Sequence, residues 1–357
     1  MKRILSFDGG GIRGIISLEI IREIERIFRT ERGDPSLVLS DEFQFFAGTS
    51  TGALIATGLS WGMSVDDIET LYFNHGAELF NREPWHRRWK SKYNAESIGR
   101  FFLRLFSEDG NGENPALLGS KKLKTLLMIV IRNASTGSPW PVTNNINAIY
   151  NQPNLLDCNL NIPLWQLLRA STAAPTYFPP QPIKIGDRID LFVDGGVTPY
   201  NNPALIAALT AIMPCYNLKW PTGVDNIQVV SIGTGSMRTR FPAKTAQRIH
   251  LFDQLDHFIP AIMGATSSNQ DLLCRVLGNC VYGDEIDSEI GDLVGSSVTQ
   301  STKKLFSYVR YNIRFDAAES MQIASSQNKL DNLNLLPILK EVGQEYADNK
   351  VKRKDII

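Results

Sequence analysis

Phe43-Gln44-Phe45-Phe46-Ala47-Gly48-Thr49-Ser50-Thr51-Gly52-Ala53-Leu54-Ile55-Ala56-Thr57-Gly58-Leu59 passes from an apolar run, through a glycine-flanked serine, into a stretch of small residues. Phe43 to Phe46 predicts a buried strand and Ala53 to Leu59 a helix. Between them lies the only G-x-S-x-G match in the chain. In a nucleophile elbow, such a sharp strand-to-helix turn projects its serine into the open. Gly48 and Gly52 would remove the Cβ atoms that collide as the backbone turns. The helix start would offer free N–H groups and a positive dipole end to developing negative charge. The same residues also suit a tight turn whose serine merely caps the helix. Taken alone, the motif serves either reading.

Outward from this turn, short apolar runs alternate with helical patterns. Ile4 to Phe7 reads as a first strand, and Leu18, Ile21, Ile24, Ile27 and Phe28 fall at helical spacing. Ser64, three residues before Asp67, predicts a helix cap ahead of Ile68, Leu71, Tyr72 and Leu79. Leu126 to Ile131, Ile146 to Tyr150, Ile189 to Val193 and Ile227 to Ile232 read as later strands. The pattern predicts an α/β fold with a mainly parallel, covered sheet. Residues 1–236 are expected to form the core, and 237–357 a C-terminal extension packed on it. In that extension the predicted elements are a helix from Phe258 to Leu277, an alternation through Val309, Tyr311, Ile313 and Phe315, and an amphipathic helix from Leu335 to Tyr346.

The 357 residues are 43% hydrophobic and 21% charged, with formal net charge zero. That composition is ordinary for a globular protein with a sizeable core. The balanced charge argues against binding DNA or RNA polymers. Cys158, Cys215, Cys274 and Cys280 lack disulfide-scaffold or metal-site spacing and read as reduced thiols. No metal site is expected. The first residues carry too little apolar sequence for a signal peptide, which needs roughly 7–15 apolar residues. No run approaches the roughly 18 apolar residues of a membrane span. A cytoplasmic location follows as an expectation.

Asp8-Gly9-Gly10-Gly11-Ile12-Arg13-Gly14 follows the first strand and opens a helix. Successive glycines leave backbone N–H groups unobstructed, as an oxyanion hole requires. Gly9, Gly11 and Gly14 also satisfy the dinucleotide fingerprint G-x-G-x-x-G. That fingerprint expects an acidic residue about 20 positions on, at the end of a second strand. Here the stretch Phe28 to Asp34 is a charged helix end. A nucleotide-dependent oxidoreductase is therefore the alternative class; a catalytically silent lipid-binding module is another.

Asp194-Gly195-Gly196 follows Leu191-Phe192-Val193, where a strand would hold the carboxylate rigidly, although Asp-Gly turns after strands are common. A serine hydrolase usually places histidine between serine and aspartate. His75, His86, His250 and His257 all lie outside glycine-rich turns. An order of Ser50, Asp194, then His250 or His257 would match an α/β-hydrolase triad. A Ser50–Asp194 dyad suffices if the carboxyl is buried, because burial raises its pKa and makes it a better base.

In order and spacing, Asp8 to Gly14, Gly48 to Gly52 and Asp194 to Gly196 resemble the patatin-like phospholipase family. Ala170 to Pro180, Asn201-Asn202-Pro203 and Ser231 to Gly235 also look like family blocks. The resemblance covers about residues 1–236 and rests on the combination, not on any one element. It implies a three-layer α/β/α fold and metal-independent hydrolysis of acyl esters in glycerolipids, without a cofactor. By the same resemblance Ser50 is the nucleophile and Asp194 the base. Gly10 and Gly11 line the oxyanion hole, Gly9 shapes the loop, and Arg13 orients the loop or a phosphate. Asn202-Pro203 and the Ala170 to Pro180 stretch have structural reasons of their own and are read as scaffold. The opening most resembles bacterial antiphage (CBASS) effectors switched on by a cyclic dinucleotide, which implies such an activator and a phospholipid substrate. Arg82 to Tyr93, with Trp85 and Trp89 among five cations, suits peripheral contact with an anionic membrane, a phosphate-bearing nucleotide, or a solvated loop.

Overall fold

The computed structural model describes residues 1–79, 95–175, 177–237, 251–287, 289–295, 303–315 and 333–357. In chain order the strands are β1 (Lys2–Phe7), β2 (Phe45–Thr49), β3 (Leu126–Asn133), β4 (Pro139–Thr143), β5 (Gln181–Ile185), β6 (Arg188–Asp194), β7 (Ile227–Ile232), β8 (Ser236–Met237), β9 (Asn279–Gly283), β10 (Ser307–Tyr311) and β11 (Arg314–Phe315). The helices are α1 (Gly14–Arg32), α2 (Leu39–Glu42), α3 (Thr51–Trp61), α4 (Val65–Leu79), α5 (Ala95–Leu105), α6 (Leu164–Ser171), α7 (Ala204–Ile212), α8 (Leu251–Leu277), α9 (Leu336–Lys350) and α10 (Arg353–Ile356).

The main sheet runs β5-β6-β3-β2-β1-β7-β10-β9, with β4 also on β3. Its centre, from β3 through β2, β1, β7 and β10 to β9, is parallel throughout. Alternate residues of a strand face opposite sides. Leu5, Phe46, Leu127 and Val230 accordingly enter one core, covered by α1, α3 and α9. Ile4, Phe45, Met128 and Val229 enter a second, covered by α7. Because both faces are buried, the central strands read as nearly continuous apolar runs. The predicted α/β class is the one observed. Among the described residues no helix is long and apolar enough to cross a membrane.

Some boundaries differ from expectation. The first strand of the elbow extends to Thr49, so helix α3 begins directly after Ser50. Ile146 to Tyr150 is not a strand. Ile146 and Ile149 are exposed, and the segment is a turn held by Asn145 and Asn151, whose amides donate to the Tyr216 and Thr143 carbonyls. Strands β5, β8 and β9 were not anticipated, nor was β4, which contains Pro139 and Pro141. Two prolines argue against a central strand. Spaced two apart, however, both turn their missing donor to the same edge, and among the described residues β4 has only β3 beside it. Ser64 and Asp67 do form the reciprocal cap, with the Ser64 hydroxyl 2.7 Å from the carboxylate. Helix α8 starts at Leu251, ahead of Phe258.

Strand β3 explains how the chemistry is assembled. One of its edges pairs with β4 over Met128–Arg132. The other pairs with β2 as far as Val130. At the next residue, Ile131, that same edge passes to β6, which runs the opposite way and ends there at Asp194. Strands β2 and β6 therefore share one lane and meet end to end. Ser50 and Asp194 are the residues at the meeting point.

Candidate active site

Ser50 joins β2 to α3 with φ 55° and ψ −124°. A positive φ is rare for a residue with a side chain, and costs on the order of 1–3 kcal/mol unless the surroundings enforce it. Here they do. The Ser50 N–H donates to the Ser171 hydroxyl at 2.8 Å, and that hydroxyl donates to the Val130 carbonyl at 2.7 Å. Thr49 donates from its side chain to the Tyr200 carbonyl at 2.8 Å. Gly48 and Gly52 lie in backbone contact across the turn, and a Cβ on Gly52 would sit 2.5 Å from the Phe7 carbonyl oxygen. Only glycine lets α3 start this close to β1.

Asp194 is 3% exposed and Ser50 is 9% exposed. The Gly196 N–H donates to the Asp194 carboxyl at 2.7 Å. Burial raises the Asp194 pKa to about 7, against the opposing effects of the Gly196 N–H and of a hydrogen bond with the Ser50 side chain. A carboxyl in this state accepts a proton near neutral pH and returns it readily. His86 and His250 lie outside the described residues, as do the side chains of His75 and His257.

The glycine loop lies beside this pair. Gly9 packs against Ser50, and its N–H donates to the Asn201 carbonyl at 3.2 Å. The Gly10 and Gly11 N–H groups, by contrast, donate to no acceptor among the described residues. Thr51 and Gly52, at the start of α3, likewise have unused N–H groups, as helix starts do. The Arg13 guanidinium donates to the carbonyls of Gly235 at 3.0 Å and Gly10 at 3.5 Å, bracing the loop from behind. Loss of solvent lowers the Arg13 pKa to about 10, against the support of Asp8. Asp8, at the head of the loop, is tied by two hydrogen bonds of 2.7 and 2.6 Å to the buried Arg310 of β10.

A family model for patatin-like phospholipases matches residues 5–208. The chain belongs to that family. A cGAMP-activated phospholipase of Escherichia coli (strain TW11681) is 26% identical over 361 residues, covering 94% of this chain and 93% of its own length. A second cGAMP-activated phospholipase, from Vibrio cholerae serotype O1, is 25% identical over 76% of this chain and 75% of its own length. Patatin-like protein 4 of Arabidopsis thaliana is 32% identical over 66% of this chain and 60% of its own length. The Gly9, Gly11 and Gly14 spacing thus belongs to a patatin-like glycine loop and not to a dinucleotide fold.

Some residues around the site went unread in the sequence. Ser171 stood in a block taken as scaffold, yet it holds the Ser50 N–H. Arg310 had no signal at all, because 302 residues separate it from Asp8. Helix α8 reaches the same region: Ser267 accepts from the Asn201 side chain at 2.9 Å, and Met263 lies beside Gly196. The basic and aromatic segment Arg82 to Tyr93 falls outside the described residues.

Proposed function

We propose that this patatin-like chain is a phospholipase A-type lipid acyl hydrolase working through Ser50 and Asp194. The observation that carries the assignment is a buried carboxyl of near-neutral pKa, bonded to a serine held at positive φ on a strand-to-helix elbow. Asp194 takes the Ser50 proton as Oγ attacks the acyl carbonyl. The Gly10 and Gly11 N–H groups, with the start of α3, receive the oxyanion, while Gly9 and Arg13 set the loop's shape. The departing lysolipid alcohol recovers the proton from Asp194 and leaves an acyl-serine. Water then gives its proton to Asp194 and attacks the acyl group. Free fatty acid departs as Ser50 regains its proton.

Residues 237–357 act in this reading as an extension of the catalytic core at 1–236. The contributions of β9 and β10 to the main sheet support it, as does the packing of α9 along α1. The two cGAMP-activated relatives, matched over most of their length, support control by a cyclic dinucleotide. The enzyme would sit in the cytoplasm until the signal arrives, then attack the cell's own membrane from its surface during antiphage defence.

The test is direct. Wild type, Ser50→Ala and Asp194→Ala are incubated with phospholipid vesicles, with and without cyclic dinucleotides, and released fatty acid is quantified. Release should require both side chains, and a fluorophosphonate should label wild type but not Ser50→Ala. Undiminished release by either variant would end the assignment.

A further inference from the structure

Strand β4 and the β5–β6 hairpin help to wall a pocket of about 290 Å³ that takes no lining residue from the glycine loop. Its walls include Trp140, Tyr150 and Tyr216, with Asp157, Asn159 and Arg188 among the polar residues. Tyr150 and Tyr216 meet edge to face at 6.3 Å. Aromatic faces that line a concave site, with only a few polar groups, are the usual surroundings of a planar heterocycle. A carboxylate and an amide match the donor and acceptor edge of a purine. Arg188 contributes a cation at the rim: its side chain is 60% exposed and pairs with Asp190 at 3.3 Å. The volume falls just below the roughly 300–1,000 Å³ usual for small-molecule sites. It suits one nucleoside and leaves the rest of a larger ligand outside.

The pocket is joined to the chemistry by its own walls. Trp140 is the register partner of Ile131 on one edge of β3, and Asp194 is the partner of Ile131 on the other. The Trp140 ring also packs on Phe192, two residues before Asp194, at 5.2 Å between centroids. Ile185 and Arg188 line the pocket from the β5–β6 hairpin, and that hairpin ends at the carboxyl. Whatever fills the pocket therefore bears on the strand that carries Asp194.

We propose that this pocket receives one purine-nucleoside half of the activating cyclic dinucleotide and thereby sets the position of Asp194. The proposal rests on the cyclic-dinucleotide reading given above. The aromatic walls hold the base and Arg188 meets the phosphodiester. Occupancy immobilises the β5–β6 hairpin and so keeps the carboxyl steady against Ser50.

Isothermal titration of the full-length protein with cGAMP tests it, using wild type, Tyr150→Ala, Tyr150→Phe and Arg188→Glu. The ratio of fatty-acid release with and without cGAMP is measured on the same samples. Tyr150→Ala and Arg188→Glu should each weaken Kd at least tenfold and bring the ratio close to one. Tyr150→Phe, which keeps the ring, should remain within about threefold of wild type. Arg188 is largely in solvent, so its variant keeps the test sound should Tyr150→Ala fold poorly. If wild type binds and responds to cGAMP while Arg188→Glu and Tyr150→Ala do so equally well, the pocket is not the site. If wild type binds neither cGAMP nor any other cyclic dinucleotide of a panel, the activator reading itself falls and the pocket loses its ligand.

Discussion

Replacing Asp194 by asparagine separates what this carboxyl does for catalysis from what it costs the fold. The amide keeps an acceptor for the Gly196 N–H and a donor for the Ser50 hydroxyl, but it cannot ionise. In the native protein burial raises the Asp194 pKa from an ordinary 3.8 to about 7. The folded state therefore holds its proton more tightly than the unfolded chain does. Below pH 4 both states are protonated, and the group is neutral to stability. Between pH 4 and 7 the unfolded chain ionises first, so wild-type stability falls as pH rises. Three units at about 1.36 kcal/mol each give a loss on the order of 4 kcal/mol, complete above pH 7. Asp194→Asn lacks this component. Urea unfolding of both proteins, followed by tryptophan fluorescence from pH 4 to pH 8, should show a gap that opens with pH and levels off above 7. Other titrating groups cancel in the difference. Wild-type kcat/KM should rise about tenfold per pH unit below 7 and then flatten, while the variant hydrolyses nothing. A gap independent of pH, or wild-type hydrolysis by Asp194→Asn, would refute the reasoning.

Ser50→Gly should abolish hydrolysis yet raise the unfolding free energy in urea titration, by on the order of 1 kcal/mol, because glycine accepts the positive φ that serine resists. Ser171→Ala leaves the Ser50 N–H without its acceptor, a loss of about 1–3 kcal/mol. It should lower kcat on a soluble ester more than it raises KM. Arg310→Ala strands the Asp8 carboxylate in the core, and denaturant titration should show a loss of about 3–5 kcal/mol. Gly52→Ala forces α3 away from β1. Hydrolysis should fall by about two orders of magnitude, since a displacement near 1 Å costs that much, and the midpoint should fall too.

The elbow, the glycine loop and Asp194 were legible because each is a short local pattern: an apolar strand that stops at residues with no side chain to spare. Helix α1 was legible for the related reason that Leu18, Ile21, Ile24 and Phe28 repeat at its period. Strand β4 was hidden because Pro139 and Pro141 speak against a strand, and only an edge with no outer neighbour among the described residues makes them acceptable. Ile146 to Tyr150 had the opposite fault, apolar residues in a turn whose geometry belongs to the amides of Asn145 and Asn151. The Asp8–Arg310 pair and the support of Ser50 by Ser171 were illegible in principle. They depend on which strands lie side by side, and no spacing along the chain encodes that.

The head-on meeting of β2 and β6 makes β3 a ruler. Val130, opposite Thr49, marks the end of one arm and Ile131, opposite Asp194, the end of the other, so the two arms stop one residue apart, about 3.3 Å of strand. Repacking the helices can loosen or stiffen this gauge but cannot change its graduation. Only an inserted or deleted residue in β3 would do so, and it would also turn every following side chain to the wrong face. Natural variation in this protein should therefore crowd into the helical layers and leave the length of that one strand constant.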